Sequence, residues 1–417
     1  MLRSLNSPRL STTQGNIIGI TTPATIDDVE HLCYTACMSD IERLELLTRQ
    51  MHLEPAEDYC SNPLPSQGKE AIAVKTALMP NGQTIRLLKT LLSSYCEKNC
   101  IYCPFRSQRD FPRAAFTPDD FARLFNSLYQ SGFVEGIFLS SSVFHGAVKT
   151  QDLLLDTASI LRKRYQFRGY LHLKIMPGAE KDQIQQAMLL ADRLSVNLEA
   201  PHSDGLAILA PQKDFHSDLL NQLRWIEEIR TEKSPVNAWK GSWPSSATQF
   251  VVGAAGETDL DLLAATENLY HQTKISRVYY SSFNPIEGTP LENHTPSSPR
   301  REFRLYQASY LLRDYGFSGE ELVYKDSGNL SREIDPKLAW AEQHLLHQPL
   351  EINTASRSKL LRIPGIGPTR ADNILSLRLT DPIKSFTKLR KMNLITPKSS
   401  PYILINGKSP PLQPRLF

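Results

Sequence analysis

The sequence of 417 residues is 41% hydrophobic and 22% charged, which is the balance of an ordinary globular protein with space for one large domain and one or two smaller units. Its apolar runs are far shorter than a membrane span and its N-terminus lacks a signal-peptide pattern, so we expect a cytoplasmic protein with no membrane partner. Twelve basic and three acidic residues give 351–417 a charge of +9, which leaves −6 for the other residues of a chain whose formal charge is +3. This asymmetry predicts a polyanionic partner for the C-terminal part.

The first 80 residues are predicted to form an N-terminal extension, with a helix at about 25–51 and a connector rich in Pro, Ser and Gly at 62–68. Cys33 and Cys37 are four residues apart and would share one helix face, so together with Cys60 they could ligate a metal cluster. We favour buried or reactive thiols at these three positions. All six cysteines lie between positions 33 and 103, a distribution that favours a metal site over a disulfide scaffold.

Over residues 81–320, apolar runs of strand length alternate with amphipathic helical stretches. The predicted strands are 85–92, 136–141, 170–175, 194–198, 248–252 and 277–281, and the predicted helices are 118–131, 151–164, 180–190, 214–231, 258–272 and 300–315. Six strand–helix units imply a parallel α/β sheet, which can close partly as a (β/α)6 barrel or lie open as a doubly wound sheet. Either architecture brings the functional residues to the carboxyl ends of the strands.

The loop after the first of these strands carries the motif CxxxCxxC, formed by Cys96, Cys100 and Cys103. Thiolates are soft ligands that suit iron–sulfur clusters, and three of them on a 4Fe-4S cluster leave the fourth iron open. One alternative is structural zinc with a fourth ligand from Cys60 or a nearby His, and another is three thiols without metal. We favour the cluster.

The spacing of the cysteines, with the aromatic Tyr102 just before the third, resembles the signature of radical S-adenosylmethionine (SAM) enzymes. The resemblance implies a partial (β/α)6 TIM-like barrel and a 4Fe-4S cluster whose open iron chelates the amino and carboxylate groups of SAM. It further implies reductive cleavage of SAM to a 5′-deoxyadenosyl radical, fed by a reductant such as flavodoxin or ferredoxin. No residue is assigned to the step on the substrate.

The ends of the second and fourth predicted strands supply candidate SAM contacts. Ser140, Ser141 and Ser142 stand where the family has a Gly-Gly-Glu segment, although the acid is missing and a plain strand-end turn is an equal alternative. Asn197 and Glu199 alternate with a leucine and so share one face, where the family often contacts the SAM ribose; a solvated strand end would have the same pattern.

Later strand ends complete the set. Gly253 opens a turn similar to the family's Gly-x-x-Gly-Glu-Thr, which could equally be the cap of the next helix. Asn284 and Glu287 lie in a segment similar to the one that borders adenine in several radical SAM subfamilies. On the third strand, His172 and Lys174 alternate and face either a substrate or solvent.

After a linker region at 321–350, residues 351–417 contain two helical stretches around a Gly-Ile-Gly hairpin, which resembles the helix-hairpin-helix motif of DNA repair and DNA uptake proteins. Such a hairpin exposes backbone N–H groups at a helix N-terminus, where phosphate binds without regard to base sequence. The candidate nucleic-acid contacts are Gly365, Gly367, Thr369 and Arg370. A helical hairpin used for packing or for protein contact is the alternative.

From about 58 to 408 the chain resembles radical SAM proteins assigned to DNA modification or repair that carry a C-terminal helix-hairpin-helix. That resemblance implies DNA as the partner and a uracil-DNA-glycosylase-like protein as a possible second one. Two alternatives are RNA modification by the same chemistry and a DNA-binding scaffold whose cluster is structural. The last five residues, 413–417, are similar to a peptide that binds the bacterial sliding clamp.

Overall fold

The computed structural model describes residues 38–49, 51, 72, 74–79 and 82–410, and those from Asp40 onward belong to one compact unit. The predictions made for Cys33, Cys37 and Cys60, for the 62–68 connector and for the 413–417 peptide lie outside the described residues. The first described helix, α1 (Asp40–Thr48), falls within the helix predicted at 25–51.

A seven-stranded sheet organises the chain as far as residue 282. It consists of β1 (Val74–Leu78), β2 (Thr84–Leu91), β3 (Gly136–Ser140), β4 (Tyr170–Lys174), β5 (Arg193–Ser195), β6 (Ser245–Val252) and β7 (Arg277–Ser282). All six predicted strands are confirmed and are parallel to one another. Strand β1 was not predicted: it pairs antiparallel with β2 at the edge of the sheet and lies within the segment expected to be an N-terminal extension.

The helices of this part of the chain follow the strands as crossovers. They are α2 (Pro118–Gln130), α3 (Ala147–Ser159, continued by a π-helical turn Ile160–Arg164), α4 (Lys181–Leu190), α5 (Ser203–Leu209), α6 (Asn221–Glu232, preceded by a π-helical turn Phe215–Leu220), α7 (Asp259–Gln272) and α8 (Pro299–Tyr315). The strands stand in the sheet in chain order from β1 to β7. A doubly wound sheet reverses direction at a switch point, whereas sequential crossovers of one hand place every helix on the same face and curl the sheet. The architecture is therefore an open half-barrel, which confirms the partial barrel.

Strand alternation divides the sheet into an apolar outer face and a more polar inner face. Leu171 and Leu173 of β4 are fully buried members of the main hydrophobic core. His172 and Lys174 point to the opposite side, and both are also buried, at 1% and 8% exposure. The inner face of the half-barrel thus carries buried polar groups next to its open end.

The C-terminal part forms a small module with its own hydrophobic core. Before it, a hairpin of β8 (Tyr324–Lys325) and β9 (Asn329–Leu330) packs on the main core. The elements of the module are α9 (Pro336–His344), β10 (Leu350–Glu351), α10 (Arg357–Arg362), α11 (Pro368–Thr380), α12 (Phe386–Lys391) and β11 (Ile403–Leu404), which pairs parallel with β10. Five apolar side chains of the helical hairpin are fully buried in this core: Leu360, Ile363, Ile366, Ala371 and Ile374.

One arginine links this module to the end of α8. The Arg362 guanidinium lies 3.7 Å from the centre of the Phe317 ring and donates hydrogen bonds of 2.8 and 2.9 Å to the carboxylate of Glu321. Tyr315, at the last turn of α8, packs against both hydrophobic cores. The module is therefore held against the half-barrel by a stacked and ion-paired contact.

No helix in the described part of the chain is both long enough and apolar enough to cross a membrane.

Candidate functional site

The three cysteines of the CxxxCxxC motif line one cavity at the carboxyl ends of the strands. The cavity encloses about 1120 Å³ of empty space and opens to solvent. Six more side chains predicted as site residues line it, from the segments after β3, β5 and β7: Ser140, Ser141, Ser142, Asn197, Glu199 and Asn284. The structure therefore brings the three cysteines together with these six side chains, and Lys174 lines the same cavity, as expected for residues at the ends of parallel strands.

Backbone hydrogen bonds fasten the cysteine loop to its neighbours. The amide of Ile101 donates to the carbonyl of Leu209 (2.8 Å), and the amide of Asn99 donates to Oε1 of Gln212 (3.1 Å). These two bonds tie the middle of the loop to the segment that follows α5. The position of the thiols is consequently set by tertiary contacts as well as by their spacing in sequence.

Arg113 holds the two ends of the cysteine loop together. Its guanidinium donates to four carbonyl oxygens, those of Ser94 (2.7 Å), Phe105 (3.1 Å), Arg106 (2.7 Å) and Arg109 (3.1 Å). One of these carbonyls precedes Cys96 and three follow Cys103. A single side chain therefore cross-links the flanks of the loop.

Burial and nearby negative charge make Cys100 and Cys103 poor thiolates by themselves. Burial raises the pKa of Cys100, with the ammonium of Lys213 opposing the rise and the carboxylate of Glu199 and the thiol of Cys96 adding to it. Burial also raises the pKa of Cys103 well above its usual range, and the negative charge of the other two cysteines raises it further. Three thiolates so close together require a positive partner, and the iron ions of a cluster have the charge and the softness to serve as one. The donor set therefore fits a cluster.

Within the described residues, no three side chains of His, Cys, Asp or Glu converge on a point that could hold a single metal ion. A single zinc ion needs its thiolates about 2.3 Å from one centre. A 4Fe-4S cluster instead binds its thiolates through three different iron ions, so the three cysteines need not converge on one point.

The structure adds Lys213, a cavity residue that the sequence prediction missed. Its ammonium lies 3.3 Å from Oε1 of Glu199, and both side chains are less than a tenth exposed. Burial lowers the pKa of Lys213, but the negative charges of Cys100, Glu199 and Cys103 together outweigh this effect and raise the pKa above its usual value. Tyr102 lines the same cavity, and burial together with the negative charge of Glu199 raises its pKa well above the usual range. The cavity thus holds a buried ammonium–carboxylate pair beside the cysteines.

The candidate serines and Asn197 bond to the neighbouring backbone and side chains. The carbonyl of Ser140 accepts from Leu92 (2.8 Å), and the amide of Ser142 donates to Ser93 (2.9 Å). Nδ2 of Asn197 donates to Oε1 of Gln249 at 3.2 Å. These bonds hold the strand ends rigid where they border the cavity.

Gly253 and Glu287 are not among the described residues that line this cavity. Gly253 adopts a φ of +91°, and its amide donates to the carboxylate of Glu257, which pairs with Arg301 at 3.5 Å. The side chain of Glu287 is exposed, and its carbonyl accepts a 2.7 Å hydrogen bond from Arg109. The turn at 253–258 therefore shapes the entry to α7, and any role of these two residues toward SAM stays a prediction from sequence.

The hairpin between α10 and α11 contains the four candidate nucleic-acid contacts. Gly365 has a φ of +81°, and a Cβ there would overlap the Thr396 hydroxyl. Within the described residues, the amides of Gly367, Thr369 and Arg370 have no hydrogen-bond acceptor, as is usual for the first turn of a helix.

Part of the Arg370 guanidinium hydrogen-bonds within the hairpin itself. Its guanidinium donates to the carbonyls of Gly365 (2.6 Å) and Asn393 (2.8 Å), and to Oδ1 of Asn393 (3.0 Å). Thr369 by contrast is exposed. The arginine therefore ties the hairpin to the turn that follows α12, and the helix start presents free amides.

A second cavity, which we call the cleft, separates this hairpin from α8 and α9. It has about 1260 Å³ of empty space. Its lining includes the whole hairpin from Pro364 to Arg370, together with Lys337 and Lys398, and the side of α8 from Gln307 to Tyr315.

Comparison with known proteins gives one family match and several partial similarities of structure. A family model described as a helix-hairpin-helix motif matches residues 347–400. No curated protein sequence matches the chain.

The similar solved structures share little sequence with the chain. Methylornithine synthase (PylB) has a TM-score of 0.44 and 13% identity, over 69% of this chain and 72% of that one. A radical SAM methyltransferase from Sphaerobacter thermophilus has a TM-score of 0.41 and 13% identity, over 60% and 74%. The FeFe-hydrogenase maturase HydG from Carboxydothermus hydrogenoformans has a TM-score of 0.43 and 15% identity, over 54% of this chain and 51% of its own. The chain thus spans about half the length of HydG.

Proposed function

We propose that this chain is a radical SAM enzyme that acts on DNA, with a 4Fe-4S cluster on Cys96, Cys100 and Cys103 and SAM in the adjoining cavity. The observation that carries the proposal is that three thiols from one loop line a single cavity at the carboxyl mouth of a half-barrel. When bound, such a cluster supplies the electron for reductive cleavage of SAM.

The polar groups of the cavity support a nucleoside-containing ligand beside the thiols. Amide groups of Asn197 and Asn284 and the carboxylate of Glu199 line it, and these are groups that hydrogen-bond hydroxyls and base edges. The ammonium of Lys213 offsets the negative charge of the thiolates and holds Glu199 in one orientation. Apolar side chains such as Phe105 limit the access of water. Ser140, Ser141 and Ser142 also line this cavity.

The C-terminal module supports DNA as the partner. Residues 351–417 carry a charge of +9, and the helix-hairpin-helix match covers most of the module. Free amides at the start of α11 are a ready site for a phosphate group. The module also carries exposed lysines, of which Lys398 lines the cleft together with the hairpin: Lys359, Lys388, Lys391, Lys398 and Lys408. Contacts of this kind position an enzyme on the backbone without reading the sequence.

Anaerobic reconstitution of the full chain tests the cluster and the chemistry. We expect about four irons per chain and reductive cleavage of SAM to 5′-deoxyadenosine. A variant with Cys96, Cys100 and Cys103 all changed to Ala should lose both. The matched control changes Cys33, Cys37 and Cys60 to Ala and should retain both. Full SAM cleavage by the first variant would overturn the assignment.

Substrate class needs its own measurement. Mass spectrometry of nucleosides from cells with and without the gene should show a change confined to DNA. A change confined to tRNA or rRNA would replace the DNA proposal with RNA modification. An intact cluster without SAM binding by calorimetry would instead indicate a DNA-binding scaffold. The reductant, a glycosylase-like partner and a sliding-clamp contact stay predictions, as do the domain limits 1–80, 81–320, 321–350 and 351–417.

A further inference from the structure

Helix α8 presents an exposed stripe with two aromatic rings. Arg300, Phe303, Gln307 and Tyr310 follow one another at intervals of three or four residues, so they lie along one face of the helix. Phe303 is 57% exposed and Tyr310 is 36% exposed. Large apolar side chains at this exposure are typical of surfaces that bind a partner when they stand in line rather than singly.

The stripe connects the two candidate sites. The segment between β7 and α8 lines the cysteine cavity with Phe283, Asn284 and Ile286, so α8 starts near the cavity mouth. The C-terminal half of the same helix, from Gln307 to Tyr315, lines the cleft beside the hairpin. A helix of 17 residues is about 25 Å long. The stripe from Arg300 to Tyr310 covers about 15 Å of that length, on the helix that leads from the cavity segment to the cleft.

Positive charge accompanies the rings at the cleft end. Guanidinium carbons of Arg277 and Arg313 lie 4.8 and 5.0 Å from the centre of the Tyr310 ring. The cleft adds Arg370 and Lys398 against a single carboxylate among its lining residues, that of Asp335. Aromatic platforms along a positively charged groove are the combination that binds single-stranded nucleic acid.

We propose that the outward face of α8 carries a single strand of DNA from the hairpin to the cavity mouth, with bases stacked on Phe303 and Tyr310. The proposal rests on the proposed function, because it takes the hairpin as the duplex or backbone anchor and the cavity as the reaction site. A duplex keeps its base faces stacked on one another, so exposed rings are useful only to an unpaired strand. At the 3.4 Å rise of fully stacked nucleotides, the roughly 25 Å length of α8 corresponds to at most about seven nucleotides, and to fewer when the strand is extended.

Fluorescence anisotropy with the full chain tests this path. The probes are a blunt DNA duplex and the same duplex with an eight-nucleotide single-stranded tail. We expect wild type to bind the tailed probe more tightly, and Phe303→Ala to lose at least about fivefold on that probe with no change on the blunt one. Tyr310→Ala should act in the same way, and Phe303→Trp should retain the affinity. Val236→Ala, which removes a side chain exposed to 74% on a turn before β6, is the control.

Salt dependence separates stacking from phosphate contact. Phe303→Ala should leave the slope of log K against log salt unchanged, whereas Lys398→Ala should reduce it. Equal affinity of wild type for the two probes, or wild-type affinity of both alanine variants, would overturn the path along α8 and leave the proposed function standing. Failure of wild type to bind either probe would overturn the DNA function itself.

Discussion

Lys337 makes the stability of the C-terminal module depend on pH. Its side chain is 8% exposed, its ammonium donates a 2.6 Å hydrogen bond to the carbonyl of Ile366, and it lies 4.5 Å from the centre of the Tyr315 ring. Burial lowers the pKa of Lys337 to about 7, with Asp335 opposing the shift and Arg362 adding to it. We therefore predict that Lys337→Met alters how stability changes with pH.

The direction and size of this pH dependence follow from the difference between the pKa of Lys337 in the folded and in the unfolded chain. In the unfolded chain a lysine titrates near 10.4, so between about pH 7 and pH 10 the unfolded state holds a proton that the folded state lacks. The free energy of unfolding consequently rises with pH in this window and is flat below it. From pH 7 to pH 9 the gain is about 2–3 kcal/mol, at roughly 1.4 kcal/mol per pH unit.

Urea unfolding of the full chain at pH 6, 7, 8 and 9 gives the global stability, and hydrogen exchange of peptides from α10 and α11 reports the module separately. Wild type should gain about 2–3 kcal/mol more than Lys337→Met between pH 7 and pH 9. The variant also leaves the Ile366 carbonyl without its donor at every pH, so the test compares how stability changes with pH and not its absolute value. Lys359→Met, at an exposed position of the same module, should keep the wild-type pH dependence. Parallel pH curves for wild type and Lys337→Met would refute the reasoning.

Two further substitutions test the packing of the hairpin and of the cysteine loop. Gly365→Ala should destabilise the module by about 3 kcal/mol or more, because it combines a positive φ with overlap at Thr396. Gly407→Ala also has a positive φ but meets open space, so it should cost only about 1–2 kcal/mol. Equal shifts of the two variants in thermal denaturation would contradict the packing argument. Arg113→Gln removes the guanidinium that donates to four carbonyls, so we expect faster hydrogen exchange at residues 94–109 and less iron per chain after reconstitution. Arg123→Gln, at an exposed arginine, is the control. An iron content of Arg113→Gln equal to that of wild type would contradict a positioning role for Arg113.

The strands were predictable because a parallel strand covered on both faces is a short apolar run bounded by turns. β1 has no such pattern: its second and third residues are Lys75 and Thr76, and polar or charged residues are common in an edge strand, so the five residues do not stand out. The choice between a half-barrel and a doubly wound sheet depends on the order of the strands, which no local pattern encodes. Tertiary hydrogen bonding also shortens β5 to Arg193–Ser195, and the chain then bends toward the cavity, where Glu199 adopts a φ of +65°.

The cavity was partly predictable for a similar reason. Residues that follow successive parallel strands meet at one edge, so the positions of Cys96, Ser140 and Asn197 in the sequence were enough to bring them together. Lys213 follows α5 rather than a strand, and its pairing with Glu199 depends on the contact of its segment with the cysteine loop. A lysine in a loop has no sequence pattern that distinguishes burial from solvation.

The hairpin shows how one residue type can satisfy two physical requirements. Gly365 was a candidate nucleic-acid contact, yet a Cβ there would overlap the Thr396 hydroxyl, so packing alone already requires glycine at this position. Arg370 was expected to meet phosphate, but it gives three hydrogen bonds to Gly365 and Asn393. Removal of either residue would therefore disturb the hairpin and any bound phosphate together. Contacts that serve phosphate alone must come from groups without a structural partner, which are the free amides at the start of α11 and exposed lysines such as Lys398.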